Sequence, residues 1–373
     1  MDEVQKTTNW HELNISLKED RYTIKEKLGE GNCCITYLAE DSKQKKKVAI
    51  KTLKETVLLE DNPQKIIDEF KNEVERLYDI HLKLKLTNKN DIYYNIVHYE
   101  DTFPIKVRFA EVTCLLMEYI DGKTLKKLVE EQVSKNDHKV LDETKALDYI
   151  RQVGKALIFF HENNLLHLDV NPNNIMIRNN TDKAVLIDFG TVRPCIPNYI
   201  QTVGFTHSYA PPEQCKKNNN NWGAFMDVYG LAATLYYLLT AKDPDDPSKR
   251  DKNGFLKELR NVSKNVYQAI LKGMALQASE RPQTVKEWLE LLNKYDVNDL
   301  INSIEELEKA INTLFNPDEL NYFLYSYYEK LYQELKKESK QNKLKTLISK
   351  LQGENDVKSL VDNIREFKPK SFT

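Results

Sequence analysis

The sequence lacks most of the features that mark a secreted, membrane-spanning or metal-stapled protein. It has five cysteines, an odd number, and no C-x-x-C pair, which argues against a disulfide scaffold and a zinc ribbon. No apolar run reaches the roughly 18 residues of a membrane span. The longest candidate, VYGLAATLYYLLT, predicts a buried helix. Residues 1–20 are polar and acidic, so we expect no secretory signal peptide.

The chain also lacks an excess of either charge. Its net charge is −2, which gives no reason to expect nucleic acid or an anionic membrane as a partner. The cysteine usage and the polar, acidic residues 1–20 lead us to expect a reducing, cytoplasmic environment. Export into a host cell by a route without a signal peptide would leave no mark in the sequence, so that alternative stays open.

The composition allows both a large core and a solvated surface, because 40% of the 373 residues are hydrophobic and 30% are charged. The residue pattern predicts an α+β protein in four parts. These are a leader at 1–20, a small β-rich lobe at 21–118, a larger helical lobe at 119–294 and a helical extension at 295–373.

The β-rich lobe contains strand patterns and one helix. YTIKEKLGEGNCCITYLAEDS predicts two strands joined by a glycine-containing turn, and KKVAIKTL, IVHYEDTF and TCLLMEYI predict three more. The helix is predicted to begin at Pro63, with Ile66, Phe70, Val74 and Leu77 on one face.

Two acidic motifs carry the first indication of chemistry. HLDVNPNN contains Asp169 and Asn174, and VLIDFG places Asp188 directly after an apolar strand. Mg²⁺ prefers hard oxygen ligands, usually a few protein groups together with substrate phosphates, and Asn174 and Asp188 suit that role. Asp169 is then available to orient a hydroxyl group and to accept its proton.

A lysine and a glycine-containing turn complete the set of candidate residues. Lys51 ends the strand VAIK, and Glu73 on the following helix is its expected partner. Glu69 and Glu75 are the alternatives if the helix register differs. In LGEGNCC, Gly29 and Gly31 would let the backbone approach phosphate groups closely.

In this order, the motifs resemble those of the eukaryotic-type protein kinase family, and YAPPEQ resembles its bacterial Ser/Thr members. The resemblance runs from about Tyr22 to Leu292. It implies a bilobal protein kinase fold, ATP and Mg²⁺ as cofactors, and phosphate transfer to Ser or Thr of a protein substrate. The Lys- and Asn-rich composition with YAPPEQ favours a bacterial source. No Walker A motif is present, which argues against a P-loop phosphotransferase.

The resemblance assigns further residues. Asp169 is the implied catalytic base, Asn174 and Asp188 are metal ligands, and Lys51 with Glu73 holds phosphates. The adenine site would use the backbone of Glu118 and Ile120, with Met117 as gatekeeper and Leu28, Ala49 and Met176 around the ring. Glu213 should pair with Arg281 as a buried bridge, and Asp227 should brace the catalytic loop.

Four positions depart from the family pattern. Cys34 replaces the third glycine of the loop, Thr36 replaces a valine, Leu168 replaces the arginine of H-R-D and Asn171 replaces a lysine. We interpret Cys34 as a tolerated substitution.

Leu168 cannot form an ion pair with a phosphate, so we expect activity that does not depend on activation-loop phosphorylation. Asn171 is counted among the catalytic residues as a neutral replacement for a γ-phosphate contact. Loss of one oriented donor typically costs ~10²–10³ in rate, which predicts a slow enzyme. Thr206 is expected against Asp169.

Two other functions stay open at this point. The chain would be a nucleotide-binding pseudokinase that acts through its helical extension if the departures abolish transfer. It would be a kinase-fold enzyme of another kind if the acceptor is a small molecule or a lipid, or if it transfers AMP.

The extension at 295–373 predicts helices. Leu300, Ile304, Leu307, Ile311 and Leu314 follow a heptad-like spacing. NPDEL predicts a new helix with Asn316 as N-cap, Pro317 at its first position and Glu319 at its third. Leu320, Leu324, Tyr327 and Leu331 should face inward. Either this region folds back on the helical lobe, or it binds a partner or a second copy of the chain.

Overall fold

The structure is a computed structural model that describes residues 16–87, 90–107, 110–135, 140–195, 204–215, 222–247, 259, 262–293, 300, 304–351 and 354–371. The strands are β1 (Ser16–Leu17), β2 (Tyr22–Glu30), β3 (Cys34–Asp41), β4 (Lys46–Leu53), β5 (Tyr99–Val107), β6 (Ala110–Glu118), β7 (Gly122–Thr124), β8 (Leu165–Leu166), β9 (Ile175–Arg178), β10 (Ala184–Leu186) and β11 (Arg193–Pro194). The helices are α1 (Pro63–Thr87), α2 (Asn90–Tyr93), α3 (Leu125–Lys135), α4 (Glu143–Glu162), α5 (Ala224–Thr240), α6 (Lys264–Gly273), α7 (Val285–Leu291), α8 (Ile304–Leu314), α9 (Pro317–Tyr327), α10 (Glu329–Leu335), α11 (Lys340–Ser349) and α12 (Glu354–Phe367).

The chain folds into two compact units. The first unit consists of Met1–Leu128 and Lys155–Thr206, and the second of Val129–Gly154 and His207–Thr373. The segment with both acidic motifs therefore belongs to the same unit as the large sheet. This division does not follow the expected lobe boundary at residue 118, and the domain boundaries from the sequence stay a prediction.

The large sheet of the first unit has the strand order β1-β2-β3-β4-β6-β5, and all neighbours are antiparallel. The five strands expected from the sequence are confirmed as β2 to β6. The sixth strand, β1, lies at the end of the segment expected to be a leader, where Ser16 pairs with Thr23 and Leu17 with Tyr22. The strand was missed because a two-residue strand has no periodicity.

Helix α1 confirms the helix expected from Pro63 and extends to Thr87. Its buried face carries Ile67, Phe70, Val74 and Leu77, while Ile66 is only half-buried. The predicted face was thus wrong at its first residue, because Ile67 is buried in place of Ile66. Glu73 lies on the buried face and is 4% exposed, so the apolar packing of the helix also holds this carboxylate away from solvent.

Two small sheets in the first unit hold the loops with the acidic motifs. One has the order β10-β9-β7, and the other pairs β11 with β8. The loop from 167 to 174 lies between β8 and β9, and Asp188 follows β10 closely. The N–H of Ile187 donates to the backbone oxygen of Asn174 at 3.1 Å. This bond joins the two motifs directly.

The second unit is helical in its described part. Its most apolar segment forms α5, in which every residue from Phe225 to Leu239 is buried, and this confirms the buried helix expected from the sequence. Among the described residues, no helix combines the length and apolar character needed to cross a membrane.

Helices α8 to α12 have a hydrophobic core of their own within the second unit. The predicted cap of α9 is confirmed, since Asn316 and Glu319 form a reciprocal capping box with Pro317 in the first turn. Leu300, Leu307, Ile311 and Leu314 are buried, as are Leu320, Leu324 and Leu331, and Tyr327 is partly buried; Ile304, however, is 44% exposed.

This helical extension also contacts an earlier helix of the second unit. The side-chain amide of Asn312 donates to the hydroxyl of Thr144 in α4 at 3.1 Å. The extension therefore folds back on the helical part of the chain. Partner binding or self-association through the same helices stays a prediction.

The expected bridge between Glu213 and Arg281 is confirmed in the second unit. Two nitrogens of the guanidinium donate to the two carboxylate oxygens at 2.7 and 2.6 Å. The Arg281 side chain is fully buried and also donates to the backbone oxygens of Ala275 and Phe225. All of its partners are thus within the protein.

Replacement of Glu213 by glutamine should destabilise the second unit by about 3 kcal/mol, because it leaves a buried guanidinium without its counter-charge. Urea unfolding followed by tryptophan fluorescence measures this change. The control is Glu305→Gln, which removes an ion pair with Lys309 in which the glutamate is 78% exposed, and should cost less than ~0.5 kcal/mol. Equal effects of the two variants would contradict the argument.

Candidate active site

The ammonium group of Lys51 lies between two carboxylates. It donates to Glu73 Oε1 at 2.6 Å and to Asp188 Oδ1 at 2.8 Å. Glu73 is therefore the partner of Lys51 in the structure, and the alternatives Glu69 and Glu75 are exposed. The contact joins β4, α1 and the loop after β10, all within the first unit.

Burial and charge shift the pKa values of this cluster. Desolvation by itself lowers the pKa of Lys51, but the charges of Asp188 and Glu73 outweigh it and raise that pKa well above its ordinary value. Desolvation raises the pKa of Asp188, but Lys51 and the N–H of Gly190 hold it at about 2. Lys51 is thus a cation, and Asp188 an anion, throughout the physiological range.

The carboxylate of Asp169 is held at both oxygens. The backbone N–H of Thr206 donates to Oδ1 at 3.0 Å, and the side-chain amide of Asn174 donates to Oδ2 at 2.8 Å. The same amide group also donates to the backbone oxygen of Asp169 at 2.9 Å. Thr206 is therefore against Asp169, as expected, although through its N–H and not through its hydroxyl.

Asn171 is buried next to Asp169, with 1% of its surface exposed. Its amide nitrogen donates to the backbone oxygen of Asp169 at 3.1 Å and to the hydroxyl of Thr206 at 3.2 Å. Its amide oxygen accepts from the N–H of Asn173 at 2.9 Å. The side chain assigned from the sequence to the γ-phosphate thus contacts the protein itself.

The side chain of Leu168 is buried in the protein. It is 4% exposed, and its φ of 66° lies in the left-handed region, which is unfavourable for a branched side chain. The neighbouring backbone is supported by Thr191, whose hydroxyl donates to the backbone oxygen of His167 at 2.8 Å. No charge is present at position 168 to bind an anion.

The residues assigned to the adenine site lie on neighbouring strands. Met117 in β6 pairs with Ala49 in β4, and both are buried, at 5% and 7% exposure. Leu28 lies at a register shift of β2 and is 42% exposed. Met176 in β9 is half-buried. Their role in nucleotide binding stays a prediction.

The segment after β6 is held by contacts that the sequence does not reveal. The Glu118 carboxylate accepts from Arg178 in β9 at 2.7 Å and from the backbone N–H of His98 at 3.0 Å. The N–H of Glu118 donates to the backbone oxygen of His98, while Ile120 is buried at 5% exposure. Glu118 and Arg178 are 60 residues apart, and no local motif marks the pair.

Open space surrounds the α-carbons of Gly29 and Gly31 on the side where a side chain would lie. A β-carbon built on Gly29 would meet no atom within 4 Å, and one on Gly31 would meet only the backbone oxygen of Cys34, at 3.9 Å. The N–H of Gly31 donates to that same oxygen. Burial raises the pKa of the Cys34 thiol to about 12, so this cysteine is not a reactive thiolate.

Arg193 and Arg76 are neighbouring cations in the first unit. Arg193 donates to the backbone oxygens of Gly190 and Val192. Burial, and then the charge of Arg193, lower the pKa of Arg76 to about 10. The Nε atom of Arg76 is buried and has no hydrogen-bond partner among the described residues.

Two residues of this site have side-chain oxygen atoms that could hold a metal ion. Within the described ranges, no group of three or more His, Cys, Asp or Glu side chains could hold a metal by itself. The amide nitrogen of Asn174 is turned toward Asp169, and among the described contacts its oxygen accepts no hydrogen bond. That oxygen and the Asp188 carboxylate fit a hard cation that takes its other ligands from a substrate.

This architecture is the protein kinase fold. The crystal structure of the Mycobacterium tuberculosis PknI kinase domain matches with a TM-score of 0.53 and 20% sequence identity, covering 73% of this chain and 95% of that chain. A model of the protein kinase domain family matches residues 22–351. The chain therefore belongs to the protein kinase domain family, and the match extends into the helical extension.

The sequence is also similar to bacterial serine/threonine-protein kinases. A probable serine/threonine-protein kinase of Clostridium acetobutylicum is 32% identical over 231 residues, which cover 61% of this chain and 31% of that protein. The serine/threonine-protein kinase PknA of Nostoc sp. is 27% identical over 292 residues, which cover 74% of this chain and 47% of that protein. The match thus spans less than half the length of these relatives.

Replacement of Asp188 by asparagine should flatten the acid side of the stability profile. The pKa of Asp188 is lowered from 3.8 to about 2, so its charge stabilises the folded state above pH 3.8, and this contribution is lost as the pH falls toward 2. Between about pH 4.5 and 2, the unfolding free energy of the wild type should fall by about 1 kcal/mol more than that of Asp188→Asn. The effect is modest because 44% of the side chain is exposed. Parallel urea-unfolding profiles across this range would contradict the assigned pKa.

Proposed function

We propose that the chain is a protein kinase that transfers the γ-phosphate of ATP to Ser or Thr hydroxyl groups of protein substrates. The contact of Lys51 with both Glu73 and Asp188 carries the proposal. A lysine that is only 12% exposed and paired in this way is costly to keep in a protein that makes no use of its charge. Family membership and the similarity to bacterial Ser/Thr kinases support the same reaction.

In this reaction each residue has a role that follows from its chemistry. Asp169, with its carboxylate oriented by Thr206 and Asn174, accepts the proton of the attacking hydroxyl. Lys51 neutralises phosphate charge, and Glu73 keeps its ammonium group in place. The open backbone at Gly29 and Gly31 leaves room for phosphates to approach N–H groups.

Mg²⁺ would be held by the Asp188 carboxylate and the free amide oxygen of Asn174. When bound, the ion would neutralise phosphate charge during transfer. The low pKa of Asp188, about 2, keeps the carboxylate ionised for this purpose. The assigned adenine residues, Met117, Ala49, Leu28, Met176 and the backbone of Glu118 and Ile120, would complete nucleotide binding.

The proposed activity does not require phosphorylation of the activation segment. Leu168 provides a buried apolar side chain where a phosphate-binding arginine would be needed. The candidate phosphorylation sites in this segment, which follows Asp188, are Thr191, Tyr199, Thr202, Thr206 and Ser208. Thr191 and Thr206 already have structural contacts. Ser208 is described, whereas Tyr199 and Thr202 lie outside the described residues.

Asp169→Asn and Asp188→Ala should each abolish transfer of ³²P from γ-labelled ATP to a generic protein acceptor, with the fold intact by circular dichroism. The first variant removes the proton acceptor and the second a metal ligand. Asn163→Ala is the matched control, since its amide donates to the backbone oxygen of Phe159 and to neither aspartate among the described contacts. Full activity of either folded variant would contradict the proposal, and mass spectrometry of the product distinguishes phosphate from AMP.

Phosphatase-treated enzyme should keep most of its rate, because no charge at position 168 can bind an activation-segment phosphate. The measurement compares kcat before and after treatment, with loss of phosphate verified by mass spectrometry. A tenfold loss, about 1.4 kcal/mol in barrier height, would show that other cations bind such a phosphate. Arg76→Ala and Arg193→Ala would then test the neighbouring pair.

A further inference from the structure

The side chain of Asn171 has no donor left for a substrate. A primary amide has two N–H donors and one acceptor oxygen. The two donors are directed to the backbone oxygen of Asp169 and to the hydroxyl of Thr206, and the oxygen accepts from Asn173. A phosphate contact would require one of these bonds to break at a site that is 1% exposed.

The bonds of Asn171 close a ring that includes the proposed base. Asn171 donates to the Thr206 hydroxyl, the Thr206 N–H donates to Asp169 Oδ1, and Asn171 also donates to the Asp169 backbone. Asn171 and Thr206 are 35 residues apart. The ring therefore connects the loop that contains Asp169 and Asn171 to Thr206, which lies after both acidic motifs in the chain.

A lysine could not make the same set of contacts. Its ammonium group donates but has no acceptor, so the N–H of Asn173 would lose its side-chain partner. The ammonium would also have to be buried where an uncharged amide now lies, and both oxygens of the nearby Asp169 carboxylate already accept hydrogen bonds, from Thr206 and Asn174. The amide is thus suited to holding protein groups together and unsuited to neutralising a phosphate.

We propose that Asn171 is a positioning residue, which holds Thr206 and thereby fixes the carboxylate of Asp169, and that it does not bind the γ-phosphate. The proposal rests on the proposed function in one respect, namely that Asp169 acts on the acceptor hydroxyl. Asn171 then acts on the part of the site that binds the acceptor hydroxyl and not on the part that binds the nucleotide. The charge of the transferred phosphate would then be left to Lys51, to the backbone N–H groups near Gly29 and Gly31 and to a bound metal ion.

The test uses the full chain with Asn171→Ala, Asn171→Asp, Thr206→Val, Thr206→Ser and the double variant Asn171→Ala/Thr206→Val. The control is again Asn163→Ala. Asn171→Asp keeps the acceptor and the shape but removes both donors. The measurements are kcat with a generic protein acceptor, the affinity for a non-hydrolysable Mg·ATP analogue, and amide hydrogen exchange of peptides that contain Thr206.

We expect Asn171→Ala, Asn171→Asp and Thr206→Val each to lower kcat about tenfold. The kcat of the double variant should be no lower than that of the slower of its two single variants. Thr206→Ser, which keeps the hydroxyl, should retain at least about half of the rate. Analogue affinity should change less than twofold. Exchange at Thr206 should accelerate in Asn171→Ala, because the ring that protects its N–H is broken.

A role at the phosphate predicts different results. Asn171→Ala would then weaken analogue binding tenfold or lower the rate additively with Thr206→Val, and exchange at Thr206 would not change. Any of these outcomes overturns the proposal. If the wild type transfers no phosphate to any acceptor, the proposed function fails, while the hydrogen-exchange comparison still decides whether Asn171 holds Thr206.

Discussion

One ammonium group, that of Lys51, connects three elements of the first unit. It contacts a glutamate on a helix and an aspartate on a loop, so the strand, the helix and the loop must have the correct mutual arrangement for the charges to be paired. Buried charges are tolerated only when they are paired in good geometry. The apolar face of α1 supplies that geometry, because burying Phe70, Val74 and Leu77 also fixes the rotation of the helix and the direction of Glu73.

The sequence predicted best those candidate site residues that lie in short, contiguous motifs. Asp169, Asn174 and Asp188 could be located from short motifs, and Glu73 from helical periodicity, even though the predicted face was misplaced at Ile66. The periodicity tolerates such an error because a helical face is wide. The buried bridge between Glu213 and Arg281 could be expected only through family resemblance, since 68 residues separate the two.

Interactions that depend on three-dimensional contact could not be derived from spacing. The contacts of the Asn171 amide could not be predicted, because a sequence shows which donors exist and not where they point. The contact of Glu118 with Arg178 was missed for the same reason. In the extension, the heptad-like spacing was wrong for Ile304, which is 44% exposed. A continuous seam needs a long partner helix, whereas these short helices pack in a core of their own.

The neighbouring arginines Arg76 and Arg193 lie where attractive and repulsive charge interactions act on the same group. Dissolved ions weaken attraction and repulsion alike, most strongly at partly exposed groups. Most ion pairs of a protein therefore lose strength as ionic strength rises. At the arginines two effects oppose each other, because Arg193 lowers the pKa of Arg76 while Glu73, Glu75 and Glu69 raise it, and dissolved ions weaken both. The charge state of Arg76 should thus change less with ionic strength than the attraction within a partly exposed ion pair such as that of Lys46 with Glu100.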